Sequence, residues 1–327
     1  TRNSSGTAIG DPDITVGLLS SPKASTTASS ASWNVGAAVP VVISRELSTF
    51  IHTLRFYVGS TLIHTSPAGQ TTGYTWTPTA TEITAMYNAM TTSKTAVSKI
   101  SIETFQDGGT DQKVKATVDK TGTATVINSN PTFTTINYLD TATAVTAITG
   151  NNQYIVQKKS TFRAQVLSAN KAVGLNSATI SKYIATLNGV SITVNTPFAT
   201  DINFDFGVVD ATANQTLTIV AYDSRGLTKT VTKTVFIVPW SPPVINSTAL
   251  RIGGFQDTVN LTLSGSISPV SVASVNKNSL VPASVTYEYR VKGGVYGSKV
   301  AFLNQVLTMP NYTASTVSLF LVNTSAW

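Results

Sequence analysis

The 327-residue chain contains no cysteine, so disulfides, thiolate metal sites and cysteine nucleophiles are all excluded. Charge is scarce too. Asp, Glu, Lys and Arg make up 11% of residues, against about a quarter in ordinary soluble domains. Apolar runs such as "VPVVI", Val39 to Ile43, are far too short to span a bilayer. Histidine occurs twice, and no basic run is longer than Lys158 and Lys159. The net charge of +7 is therefore spread too thinly to track a phosphate backbone, and no nucleic-acid partner is expected. No nucleotide-binding G-x-x-x-x-G-K loop is present.

Threonine and serine fill the polar positions instead, with 53 Thr and 35 Ser. Threonine is β-branched and suits a half-exposed pleated strand, so the composition reads as all-β with a surface of hydroxyls rather than ions. The chain begins at Thr1 without an initiator methionine or a basic-then-apolar leader, which reads as a fragment or processed product.

Punctuation divides the chain. Ile219 to Ala221 and Val231 to Val238 are β-rich runs flanking "DSRG". There Asp223 can hold a turn by accepting hydrogen bonds from backbone N–H groups two residues on, and Gly226 supplies a positive φ. Asp223, Ser224 and Arg225 resemble an acid, hydroxyl and base cluster, but Ser224 lacks the glycines of G-x-S-x-G and has no assignable histidine base. They are read as turn residues, with Arg225 exposed at the tip for contact. In "LTKTVTKTVFIV" Lys229 and Lys233 share a face with Val231, Val235 and Ile237, which predicts an edge strand or a bulge before Val235. Pro239, Pro242 and Pro243 then remove ladder donors, end the sheet and stiffen a joint.

Earlier, strands flank a glycine-rich loop at Asp107 to Gly109, and "NSNP" closes that segment at Pro131. Pro131 and Pro242 lie 111 residues apart, the size of one seven-stranded sandwich. Three modules are expected: an N-terminal β-sandwich over 1–128, an immunoglobulin-like sandwich over 129–239, and a second over 240–327. No further "YDSRG"-like hairpin follows Pro243, so the third module is expected to be short of its last strands. One short helix is predicted near residues 79–91. Thr79 and Glu82 form a capping box there, and Ile83, Met86, Tyr87 and Met90 recur at helical spacing.

Candidate chemistry is thin. His52 and His64 lie on strands joined by a turn at Gly59 and Ser60, without a third ligand at a matching offset, and read as structural. The carboxylates nearest to clusters are Asp11 with Asp13 and Asp107 with Asp111, and neither pair has the spacing of a calcium loop. Trp33, Trp76, Trp240 and Trp327 read as core or joint packing before sugar stacking. No cofactor, metal or catalytic residue is assigned.

The stretch "VAYDSRGLTKTVTKTVFIVPWSPPVINSTALRIGGFQDTVNLTLSGSISPV", with "RELSTFIHTLRFYVGSTLIHT", "YTWTP" and "SIETFQDG", resembles minor structural proteins of long-tailed phages infecting Gram-positive bacteria. The resemblance spans most residues from Trp33 to Trp327. It implies tandem immunoglobulin-like modules in a tail-tip, baseplate or fibre protein of the virion, without enzymatic activity. Its implied partners are other tail proteins, a host wall polysaccharide or surface protein, and further copies of the chain. A Gram-positive cell-surface adhesin or wall-binding module is the alternative, located at the cell surface. A phage polysaccharide depolymerase ranks third.

Overall fold

A computed structural model describes residues 23–106, 117–251, 258–278, 285–291, 294–301, 306–308 and 315–321. Asp11, Asp13, Asp107, Asp111 and Trp327 lie outside the described residues. The chain forms two compact units. The first comprises residues 1–129 with Asn176–Ala178 and Ser224–Gly226, and the second comprises the remainder.

In the first unit the strands are β1 (Trp33–Asn34), β2 (Val39–Val42), β3 (Ile51–Val58), β4 (Thr61–Thr65), β5 (Gly73–Trp76), β6 (Thr95–Phe105) and β7 (Val118–Thr125). A five-stranded sheet runs β1-β7-β6-β3-β4, and β2 pairs with β5 in a second sheet. β1 lies parallel to β7, and the remaining pairs are antiparallel. Alternation decides which face is buried. Leu54, Phe56 and Val58 of β3 and Ile100 and Ile102 of β6 point into the core, where Trp76 is fully buried. Trp33 packs edge-on against both Trp76 and Phe56. Such aromatic pairs add to the area that they bury. At Gly122 of β7 an added Cβ would lie 2.4 Å from the carbonyl carbon of Ala31, so only glycine lets that backbone pass.

Between β5 and β6 stands helix α1 (Ala80–Asn88), with the expected capping box. The Thr79 side chain accepts from Glu82 N–H while the Glu82 carboxylate accepts from Thr79 N–H. Met86 and Met90 of the apolar stripe are buried.

The second unit begins with β8 (Asn137–Asp140), β9 (Tyr154–Val156), β10 (Thr161–Val166), β11 (Ile180–Leu187), β12 (Val190–Asn195), β13 (Ile202–Val208), β14 (Gln215–Asp223) and β15 (Thr228–Val238). A three-stranded sheet, β13-β10-β8, faces a five-stranded one, β12-β11-β14-β15-β9. One core containing Tyr138, Phe162, Tyr183, Phe204 and Leu217 lies between them. This is the immunoglobulin arrangement, with β9 running parallel to β15 at the edge. The five-stranded sheet has the strand order of its counterpart in the first unit.

One expectation needs correction here. A second helix, α2 (Thr143–Thr149), was not foreseen. Four of its residues are β-branched threonine or valine, and its N-cap, Ala142, offers no side-chain bond. Only Gly150, in the left-handed region at the C-cap, marks its end in the sequence. For β15, of the two alternatives expected, an edge or a bulge before Val235, the edge is the one found, since the strand pairs with β14 without any register shift. The strand is an edge up to Val235, because β9 pairs only with Phe236 to Val238.

Farther along, Val244–Arg251, Thr258–Ser266 and Val306–Thr308 form a three-stranded sheet, and Val285–Val291 pairs with Val300–Ala301 and Ser315–Leu321 in another. Their connections repeat those of the preceding sandwich: in each sheet the first two strands pair, and the third returns to the second in the one and to the first in the other. The fold is all-β, built of sandwiches in series.

Candidate functional site

Among the described residues, three groups contain the side chains that the sequence singled out. The first is the "DSRG" turn. Asp223 is buried, and its Oδ1 accepts from Leu227 N–H at 2.8 Å while its own N–H donates to Leu227 O at 2.9 Å. The span is four residues, longer than the sequence implied. Gly226 has φ +84°, a conformation open to glycine at no steric cost.

Arg225 is not at the surface. It is 5% exposed. Its Nε donates to Met90 O at 2.7 Å and its Nη2 to Tyr87 O at 3.2 Å and to Asn176 O, and the guanidinium lies 5.4 Å from the Tyr87 ring centroid. Helix α1 has no basic residue in its own last turn. Arg225 therefore brings further donors and positive charge to the carbonyls at and just beyond the C-terminal end of α1. Ser224 Oγ donates to Thr91 O just beyond that helix. Sequence reasoning missed this because a cation near a helix end is recognisable only when both are adjacent in the chain. These side chains satisfy backbone carbonyls and present no nucleophile.

The second group surrounds His64, on β4 opposite Phe56. Its Nδ1 meets Glu82 Oε1 at 2.6 Å, and its Nε2 meets Tyr74 Oη at 2.7 Å. Glu82 Oε2 also accepts from Trp76 Nε1 at 3.2 Å. Burial opposes ionisation of Glu82, but hydrogen bonds from the Thr79 backbone, His64, Trp76 and the Thr79 hydroxyl outweigh it and hold the carboxyl below its ordinary pKa. Burial and the Glu82 charge raise the Tyr74 phenol. Both imidazole nitrogens are occupied, so His64 braces the capping box against β4 and β5 and has no ring position left for a substrate. His52 is fully buried on β3, its Nδ1 2.9 Å from Gln70 O. Burial depresses its pKa, partly countered by that backbone contact and reinforced by Arg45. No group of three or more possible metal ligands occurs among the described residues.

The third group surrounds Pro239, Pro242 and Pro243. Pro239 follows the last residue of β15, and Pro242 and Pro243 precede the strand that starts at Val244. Val145 of α2, Val156, Val238, Val270 and Val272 form a small core here, with Trp240 and Tyr154 packed against it. Lys159 Nζ lies 4.0 Å from the Trp240 ring centroid, and Trp240 N–H donates to Gln157 Oε1 at 3.2 Å. Asn278 Nδ2 donates to Ser268 O, and Ser268 Oγ donates to Pro239 O. This small core and these hydrogen bonds pack the segment from Pro239 to Pro243 against its neighbours.

Residues 5–292 match a family described as siphovirus protein of unknown function (DUF859). The chain belongs to that family. As a siphovirus family member it is a protein of long-tailed phages, and among its described residues no helix is long and apolar enough to cross a membrane. No curated protein matches it. Among solved structures, the fibronectin(III)-like modules of Clostridium thermocellum CbhA are 13% identical, with a TM-score of 0.26 covering 66% of this chain and 94% of theirs. A Ca2+-stabilized adhesin that helps an Antarctic bacterium reach out and bind ice is 10% identical, with a TM-score of 0.33 covering 91% of this chain and 66% of that one. A tetra-tandem repeat in the extending region of a large adhesion protein is 12% identical, with a TM-score of 0.33, and the match covers 90% and 64% of the respective chains. At these scores none bears on what the siphovirus protein binds.

Proposed function

We propose that the chain is a non-enzymatic structural component of a phage tail, in its tip, baseplate or fibre, and contributes to adhesion to a Gram-positive host. Membership of a siphovirus family carries this reading. Support comes from the recurrence of one sandwich plan along the chain. We place the module limits at 1–128, 129–239 and 240–327, with Pro239, Pro242 and Pro243 as joint residues and Asp223 and Gly226 as residues of the hairpin turn. Small rigid sandwiches transmit position, and loops and sheet faces remain for contact with other tail proteins and the host.

Absence of enzymatic activity is supported by the use of the polar clusters. His64, Glu82 and Tyr74 satisfy one another, while Arg225 and Ser224 satisfy backbone carbonyls. Gold-labelled antibody against the chain, applied to intact phage particles and viewed by electron microscopy, tests the proposal. Label on the tail is the expected result, and label on no part of any virion would exclude it. Release of oligosaccharide on incubation with host wall glycan would overturn the non-enzymatic part alone.

A further inference from the structure

The outward face of the sheet β12-β11-β14-β15-β9 has a composition that folding alone does not demand. Alternation sends Leu217, Ile219 and Val235 inward and Thr216, Thr218, Thr232 and Thr234 outward. Thr216 stands opposite Thr234, and Thr218 opposite Thr232, in the β14–β15 ladder. Same-face neighbours then lie about 7 Å apart along a strand and about 5 Å apart across strands. Among the described residues none of these four hydroxyls has a protein partner.

Strands β11, β12, β14 and β15 put no carboxylate on this face, and its one cation, Lys182, covers the Tyr222 ring at 4.7 Å. A molecule of net charge +7 thus keeps this face almost free of charge, with hydroxyls flanking the single apolar pair Ile184 and Val220. At its end Phe236 is 46% exposed and stacks on Tyr154 with ring centroids 5.7 Å apart. Just beyond, Val156 and Val238 are covered by the joint core, so the aromatic pair marks where cover stops and open face begins.

We propose that this face binds a neutral polysaccharide chain. An anionic polymer would call for cations, and a protein partner for a large apolar centre. Sugars instead present apolar ring faces, which stack on an aromatic platform, beside hydroxyls that exchange hydrogen bonds with threonine. Threonine χ1 is stiff, so these hydroxyls lose little freedom on binding. The proposal rests on the adhesion reading above and names the chemistry that it would use.

Native electrophoresis of the full chain through gels cast with dephosphorylated neutral polysaccharide from Gram-positive walls, or with polygalacturonate, tests it. Retardation by the neutral polymer in physiological salt is expected, with none by the polyanion. Phe236→Ala and Thr232→Glu should each weaken it about tenfold at unchanged melting temperature, the effect of losing one well-placed contact. Thr121→Glu, on the outward face of the first five-stranded sheet, should leave it unchanged. The proposal is overturned if the wild type runs freely, if polygalacturonate retards it as strongly, or if the Phe236 and Thr232 variants bind as the wild type does. Equal attachment of wild type and variants to whole cells would sink this surface and leave adhesion standing. Virions without label would sink the tail assignment whatever the gels show.

Discussion

The two five-stranded sheets share one strand order and differ in what they show to solvent. On the first, Arg55 meets Glu103 at 2.8 Å, Lys99 meets Asp119 at 3.3 Å, and Ser101 donates to the same aspartate. On the second, Lys182 is the lone charge among the threonines of β14 and β15. Inward faces alternate identically in both, since the core dictates them. A sandwich thus constrains half of each strand and leaves the other half free to carry function. A lysine lies over a tyrosine on the neighbouring strand in both sheets, Lys99 over Tyr57 and Lys182 over Tyr222. There the resemblance of the outer faces ends.

The shared inner plan is most directly broken at the fully buried rings. Trp76→Ala in the first unit and Phe162→Ala in the second should each cost about 3–5 kcal/mol, from lost burial plus the cavity left behind. Chemical denaturation measures both, and a cost below about 1 kcal/mol for either would mean that the packing is misassigned. Gly122→Ala comes next, at about 1–3 kcal/mol, because the new methyl meets the Ala31 backbone rather than a side chain that can turn aside.

Arg225→Ala should destabilise the first unit by about 2 kcal/mol, since it takes a side-chain donor from Met90 O and one of its donors from Tyr87 O, which keeps the Met90 N–H. Arg225→Lys should recover only part of the loss, because an ammonium cannot reproduce the spread of the guanidinium. Thermal melting of the two variants checks the order.

Acid should act on the first unit through His52 and Glu82. Both groups have folded pKa values below their unfolded ones, so the stability that each contributes is present above the unfolded pKa and is lost as pH falls through the folded one. The loss begins below about pH 6.5 through His52 and continues below about 4.5 through Glu82. Melting curves of His52→Gln against wild type from pH 8 to pH 4 should converge as the pH falls. Curves that stay parallel would remove His52 as the cause.

Much of the fold was legible because it follows from periods and breakers. The β14–β15 hairpin, the capping box at Thr79 and the break at Pro239 to Pro243 are local, and each is written in consecutive residues. What could not be read depends on distant neighbours. Arg225 was expected in solvent, yet its partners lie 49 to 138 positions away along the chain. The pairing of His64 with Glu82 and Tyr74 required β4, β5 and α1 to converge. The threonine face was visible as composition only, because a count of hydroxyls does not say which of them share a side of one sheet.

The finest test of the comparison converts one outer face toward the other. Arg55→Thr alone leaves the Glu103 carboxylate, on a side chain 10% exposed, without its guanidinium, and should cost about 1–2 kcal/mol. Arg55→Thr with Glu103→Thr removes both charges and places β-branched residues on strand positions that favour them, so the double variant should lie within about 0.5 kcal/mol of wild type. Denaturation midpoints of the two single variants and the double give the coupling between the sites. If the double variant is as unstable as the sum of the singles, the ion pair is not an independent surface feature, and the outer face of the first sheet is as constrained as its core. A near-neutral double variant would show instead that charge on one sheet and threonine on the other are both permitted by the fold, so that the choice between them reflects what each face meets.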